Sequence, residues 1–264
     1  MRIYDTGSGD LPLFWLHGTP NTGAPPEPLF ADAARLGIRW LGYDRPGYPG
    51  RPRKPGRDVA SAATDVREIA DRLGLDRFAV FGHSGGGPPA LACGALLPDR
   101  VFGVVAVSSP APFDAEGLDW FAGMRQPASL RAAAAGRAAK ERYEADPPPG
   151  EVPFTPADWA ALAGPWSWFG PVVSAALAEG RDGLIDDDLA TVSPWGFDPS
   201  AIRSPLLLMH GADDEMIPAA HSEWLAAHCP TAELRIVPGD GHISVLRHGA
   251  DALGWLSALQ RGQG

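Results

Sequence analysis

Three side chains far apart in the chain, Ser84, Asp214 and His242, are of the types that together make a hydroxyl nucleophilic. A serine hydroxyl attacks poorly until a general base takes its proton. An imidazole serves best when a carboxylate fixes its tautomer and stabilises the cation that forms. Ser84 lies in "GHSGGG" (82–87), directly after the apolar run 78–81. The pattern Gly-x-Ser-x-Gly between a strand and a helix displays the hydroxyl on a sharp, strained bend, and Gly82 and Gly86 let the two backbones approach each other there. The following helix points its N-terminus at the site, which favours developing negative charge. Two other uses of a Gly-rich turn compete. A dinucleotide site needs G-x-G-x-x-G, but Ser84 stands where the second glycine would admit pyrophosphate. A phosphate loop needs Gly-Lys-Ser/Thr, and no lysine is near. A plain turn needs no partners at all.

Partners are present. His242 lies in "PGDGHISV", just past the last expected strand, and Asp214 lies in "LLLMHGADDEMIP", just past the strand before it, with Asp213 as its neighbour. In an open α/β sheet the C-terminal ends of parallel strands line one edge, so residues from distant loops converge there. A tetrahedral oxyanion also needs two donors. The Gly85 N–H, next after the serine, is one. The loop "WLHGTPNTG" offers the Thr19 N–H as the other, with Gly18 letting the backbone approach. A donor of this kind stabilises a transition state by ~3–4 kcal/mol.

The elements that must position these residues alternate. Apolar runs at 11–18, 38–44, 77–82, 101–109, 205–214 and 232–239 read as strands, and the segments 25–36, 58–73, 86–97, 218–228 and 244–260 read as helices. In 58–73 an apolar stripe (Val59, Ala62, Ala63, Val66, Ile69, Ala70, Leu73) has helical spacing, with Asp58 as its N-cap. This is the rhythm of a parallel sheet covered by helices on both faces. It stops between 112 and 199, where Ala, Pro and Trp dominate. The expected organisation is a core of 1–111 and 200–264 interrupted by a helical insertion, 112–199. "RAAAAGRAAKERYEA" within it reads as helix and "DPPPGEVPFTP" as a linker. Its aromatic residues are candidates for an apolar substrate lining, above all Trp166, Trp168 and Phe169, with Phe113 and Trp195 at the two junctions.

With 264 residues, 45% of them hydrophobic, the chain can bury one large core. A net charge of -10 disfavours nucleic acid and anionic membrane as partners and leaves a small-molecule substrate, with a monomer or homodimer as the assembly. No signal-peptide pattern opens the chain and no apolar run spans a bilayer, so the expected location is cytoplasmic. Cys93 and Cys229 read as buried reduced thiols. His210, His221, His228 and His248 carry no metal-binding spacing, and no metal or other cofactor is expected. His17 is expected to buttress the Thr19 loop, and His83 to point away from the site. Asp44-Arg45 reads as a structural turn pair, and Asp186-Asp187-Asp188 as a solvated loop or helix start.

Taken in order, "HGTP" (17–20), "DRPGY" (44–48), "GHSGGG" (82–87), "HGADDEMIP" (210–218) and "GDGH" (239–242) resemble the α/β-hydrolase superfamily, in its capped, esterase-like branch. The resemblance covers nearly the whole chain. It implies an α/β fold with a mostly parallel central sheet of about seven strands flanked by helices, lacking the usual first edge strand, with a helical cap inserted after the sixth strand. It implies Ser84, Asp214 and His242 as the catalytic triad. The family spacing G-x-x-D-x-x-[VI]-P, counted from Gly211 to Pro218, selects Asp214 over Asp213. It implies an oxyanion hole from Thr19 and Gly85, no cofactor, and hydrolysis of an ester or related acyl bond. Relatives with aspartate as nucleophile are disfavoured by Ser84. The basic, Pro-rich "GYPGRPRKPG" after Asp44 departs from the family pattern and is expected to alter the site entrance. Two rivals remain: other chemistry on the same triad (a C–C hydrolase, an aminopeptidase, a cofactor-free perhydrolase), and a non-catalytic ligand-binding member of the fold.

Overall fold

Runs of apolar residues with no alternation become strands covered on both faces. The computed structural model, which describes residues 2–150 and 152–262, contains β1 (Ile3–Asp5), β2 (Leu11–Leu16), β3 (Ile38–Tyr43), β4 (Phe78–His83), β5 (Val101–Val107), β6 (Leu206–Gly211) and β7 (Ala232–Val237). They form one sheet in the order β1-β3-β2-β4-β5-β6-β7. Only the short edge strand β1 is antiparallel, to β3. Every residue of β4 and β5 is buried, as central strands of a doubly covered sheet must be.

The helices are α1 (Phe30–Arg35), α2 (Ser61–Arg72), α3 (Gly87–Leu96), α4 (Ala128–Ala134), α5 (Arg137–Ala145), α6 (Pro156–Ala163), α7 (Phe169–Ala176), α8 (Asp182–Thr191), α9 (Ala220–His228) and α10 (Gly249–Arg261). On β2 the side chains alternate faces, as strand geometry requires. Phe14 and Leu16 pack with α2, α3 and α9 residues such as Val66, Leu91 and Leu225. Leu13 and Trp15 pack with Ala33 of α1 and with Leu253 and Leu256 of α10. The expected stripe of α2 is buried at Ala62, Ala63, Val66, Ile69 and Ala70. The helix starts at Ser61, and Asp58 accepts the Ser61 N–H at 2.9 Å.

The helical insertion, α4 to α8, follows β5, the fifth strand of this chain rather than the sixth, because a single strand precedes β2. Its Ala-rich stretch is two helices broken at Gly136, whose φ of 98° ends α4 before α5 begins.

The acidic triplet is not solvated. Asp186 and Asp187 lie inside α8, each 5% exposed. Arg45 and Arg57 both ion-pair with Asp187, which also accepts from Tyr48 Oη at 2.6 Å and Thr19 Oγ1 at 2.8 Å. Asp186 takes Arg53 in a fork, at 2.9 and 3.0 Å. The Pro-rich basic stretch is therefore the surface on which α8 docks. Burial alone would raise the Asp187 carboxyl, but the Arg45 and Arg57 guanidinium groups outweigh it and hold the group well below the usual carboxylate range. A depressed native value means that this stabilisation is present above the unfolded value of about 3.9 and is lost only as pH falls through the lower native one.

Removing one partner of such a network leaves buried charge uncompensated. Asp187→Ala is expected to lower the free energy of unfolding at pH 7 by about 3–5 kcal/mol, measured by urea denaturation. A loss under about 1 kcal/mol, the worth of a surface pair, would show that the network is not effectively buried.

Candidate active site

Parallel strands bring their C-terminal ends to one edge, and each expected residue follows such an end. β4 passes into a single 3-10 turn, Ser84–Gly86, and then directly into α3. Ser84 has a φ of 55°, a left-handed conformation that costs a non-glycine residue energy and is held only by its surroundings. Those surroundings explain the glycines. A Cβ at Gly82 would overlap the Gly86 carbonyl oxygen, and one at Gly86 would overlap the carbonyl oxygen of Leu16 at the end of β2. Neighbouring backbones thus occupy the space a side chain would need.

His242, after β7, lies with Nε2 2.9 Å from Ser84 Oγ and Nδ1 2.8 Å from Asp214 Oδ2. Asp214, after β6, is buried, whereas Asp213 is exposed and points no group at the histidine. The other Asp214 oxygen accepts the N–H groups of Met216 and Ile217 at 2.9 and 3.0 Å. With Nδ1–H donated to the carboxylate, Nε2 is left to accept the serine proton. Burial pushes the His242 pKa down, but the charge and hydrogen bond of Asp214 outweigh this and raise it above the ordinary histidine value. Burial would raise Asp214, yet the nearby His242 and the hydrogen bonds from His210 and His242 hold it well below the carboxylate range. The acid is therefore ionised and the base strengthened.

Thr19 and Gly85 face each other. A Cβ built on Gly85 would touch Thr19 Oγ1 and lie 3.2 Å from the Thr19 nitrogen. Among the described residues, neither the Thr19 nor the Gly85 N–H is paired with an acceptor of the chain. His17 braces this loop, donating from Nδ1 to the Gly18 carbonyl at 2.8 Å and accepting the Arg45 N–H at Nε2. His83, expected to point away, instead packs beside His242 with ring centroids 5.1 Å apart and donates from Nε2 to the His242 carbonyl at 3.0 Å. Burial first, and then the neighbouring His242, lower its pKa to about 3, so it is neutral.

Ser84 and His242 open into a cavity of about 480 Å³, walled by Val152, Phe154, Leu162, Phe169, Val173 and Met216 and floored by Thr19, Asn21 and His83. Of the five aromatic candidates only Phe169 lines it. Trp166 is buried in the same core cluster as Leu253 and Leu256, stacked on Phe169, and borders a separate groove beside Leu29. Trp168 turns to Trp15, edge to face at 6.3 Å. Phe113 packs on Trp120 and Phe121 in a cluster that the insertion shares with Met216 and Ile217 of the loop after β6. Trp195 stacks on Phe197 in the core. Alternating aromatic residues on a short 3-10 turn cannot all face one way, and the core took most of them. The lining missed by sequence reading includes Val152 and Phe154, in what reads as a plain linker, where only their apolar type gave a signal.

A family model described as the alpha/beta hydrolase fold matches residues 12–248. The chain belongs to this family. A 2-hydroxymuconate semialdehyde hydrolase of Pseudomonas putida is 28% identical, covering 94% of this chain and 85% of its own. A pimeloyl-[acyl-carrier protein] methyl ester esterase of Nitrosomonas europaea is also 28% identical, covering 93% and 94%. Among solved structures, an enol-lactonase from Burkholderia xenovorans superposes with a TM-score of 0.73 at 17% identity, over 98% of this chain and 96% of its own. Solved structures that share the fold also include a bromoperoxidase from Bacillus anthracis, with a TM-score of 0.71 at 20% identity over 98% of this chain and 93% of its own, so the likeness supports an enzyme of the alpha/beta hydrolase family.

The elbow of this hydrolase gives a direct test. Gly86→Ala, which drives a methyl group into the Leu16 backbone, is expected to destabilise the fold by about 1–3 kcal/mol or more. Gly254→Ala, in α10 with open space around it, is expected to stabilise it by about 0.5–1 kcal/mol. Denaturation midpoints of the two variants should move in opposite directions.

Proposed function

We propose that this hydrolase is a serine esterase, cleaving the ester or a related acyl bond of a small uncharged apolar substrate through an acyl-enzyme. The observation that carries the reading is the unbroken hydrogen-bonded chain Ser84–His242–Asp214 at the floor of an apolar cavity. As Ser84 Oγ bonds to the carbonyl carbon, its proton passes to His242 Nε2. The carbonyl oxygen becomes an oxyanion between the Thr19 and Gly85 N–H groups. The C–O bond to the leaving alcohol then breaks, and His242 returns the proton to it. Water, deprotonated by His242, attacks the acyl carbon, and the acid leaves with Ser84 restored. The segment 112–199 acts as a cap that supplies the apolar side chains Val152, Phe154, Leu162, Phe169 and Val173 to the cavity wall.

The described lining residues include no lysine or arginine. A carboxylate on the buried part of the substrate would lose its hydration without a counter-ion, which is costly. This favours a neutral acyl chain over an anionic substrate, and an ester over the muconate-type chemistry named for one relative.

Ser84→Ala should reduce turnover of p-nitrophenyl acyl esters by about 10⁶-fold without changing the unfolding midpoint, and a phosphonofluoridate should add one mass to the peptide holding Ser84. Retained turnover, or a label elsewhere, would end the proposal. Because Asp214 raises the His242 pKa and only the neutral imidazole accepts a proton, kcat/KM should fall as pH drops through a midpoint above the ordinary 6.5. Asp214→Asn should move that midpoint down and cut kcat by about 10⁴-fold.

A further inference from the structure

A second carboxylate, from the insertion, lies against the same histidine. Asp158 sits in the first turn of α6 with no exposed surface. It closes a capping box: Thr155 Oγ1 accepts the Asp158 N–H at 3.1 Å, and Asp158 Oδ2 accepts the Thr155 N–H at 3.0 Å. Helix capping needs no more than that. Yet the same carboxylate accepts three further N–H groups from another element. Oδ2 takes that of His242 at 3.2 Å, and Oδ1 takes those of Ile243 and Ser244, each at 2.8 Å.

These three N–H groups are consecutive, running from the loop after β7 into Ser244, which opens the 3-10 turn Ser244–His248, and buried amides of this kind must find an acceptor. The loop also presses directly on the helix. A Cβ at Gly241 would overlap Asp158 Oδ2 and lie 2.7 Å from Thr155 Oγ1. On its other side the His242 carbonyl accepts from His83 Nε2 at 3.0 Å and from Ser108 Oγ at 3.4 Å. The backbone of His242 is therefore held from the sheet through its C=O and from the insertion through its N–H.

We propose that Asp158 is a positioning residue for His242, making correct placement of the base depend on α6 being docked. The proposal rests on the reading of His242 as the general base. The groups facing the imidazole are Ser84, Asp214 and neutral His83; Asp158, from α6, bonds the His242 backbone N–H, and His210 lies against Asp214. Burial lowers the His242 pKa most, Asp214 more than reverses this, and Asp158 adds to the rise. Burial would raise Asp158 itself, but its bonds from the Ser244, Thr155 and Ile243 amides hold it below the ordinary carboxylate value, so it carries charge.

The experiment uses the full chain with Asp158→Asn, Asp158→Ala and Thr155→Ala. It reads kcat and KM on p-nitrophenyl acetate and on a longer acyl ester, the rate of phosphonofluoridate labelling at Ser84, and the acidic limb of kcat/KM. For both Asp158 variants kcat and labelling are expected to fall on the order of 10²-fold for both esters, with KM changed far less. The acidic limb should move to lower pH, since a negative charge near His242 is gone. Thr155→Ala, which keeps the carboxylate, should lose less than tenfold. Unchanged kcat with an unmoved limb, or a rise in KM confined to the longer ester, would overturn the proposal and leave Asp158 a structural cap of α6. Hydrogen exchange in the unmutated protein tests the same link even if the variants do not fold. The amides of 242–244 should open together with those of α6, and opening together with β7 alone would overturn it. Absence of ester turnover and of Ser84 labelling in the unmutated protein would instead end the esterase reading, and the exchange result would still decide whether α6 holds the loop.

Discussion

A buried carboxylate that stays ionised is the constraint around which the Ser84–His242–Asp214 edge of the sheet is built. Asp214 has no exposed side-chain surface, so its charge is stable only if both oxygens are satisfied. One takes two backbone N–H groups from its own loop, and the other takes the His242 imidazole, with His210 close by at 3.3 Å. That requirement fixes the tautomer of His242, which in turn presents a bare Nε2 to Ser84. The loop after β6 and the loop after β7 are thus locked to each other by electrostatics, and the strained Ser84 turn after β4 is placed against the far side of His242 by glycine-mediated backbone approach.

The insertion is tied to both sides of this edge by carboxylates. Asp187 of α8 is bonded to Thr19 and to Arg45, whose guanidinium also donates to the His17 and Gly18 carbonyls of the same loop. Asp158 of α6 holds the loop of His242. Both carboxylates are buried and pay their desolvation through several hydrogen bonds each. This is a different relation from a lid that merely covers a finished site: α6 both walls the cavity through Leu162 and holds the His242 loop, while α8, outside the cavity wall, holds the Thr19 loop. The apolar walls and the lack of a cationic group among the described lining residues then define what the cavity can accept.

Some of this was open to reading from residue order. The α/β rhythm is visible because a doubly covered strand must be apolar throughout, and the long amphipathic α2 because its stripe has helical spacing. Ser84, Asp214 and His242 stand out because few uses other than nucleophile activation require those types after three strand ends. The three-residue β1 was too short to show a pattern. Asp186 and Asp187 read from sequence as solvated, since a run of acids is usually hydrated, yet both are buried. Arg45, Arg53 and Arg57 lie more than a hundred residues earlier, Arg137 is three helices away, and nothing local reveals the pairing. The Thr155-x-x-Asp158 box marks a helix start in any sequence, but the second use of its carboxylate has no local signature.

By itself, then, the order of residues determined the sheet, the identity of the groups at its edge and the presence of a helical insertion. These follow from local rules: apolar periodicity, glycine where backbones meet, and chemical type at strand ends. Tertiary structure decided which aromatic side chains face the cavity, giving Phe169 to it and Trp166, Trp168, Phe113 and Trp195 to packing. It also decided which acidic residues hold the site together. The reason is physical: side-chain direction on short helices and the pairing of buried charges are set by what packs against them across the whole chain, and neighbours in sequence carry almost none of that information.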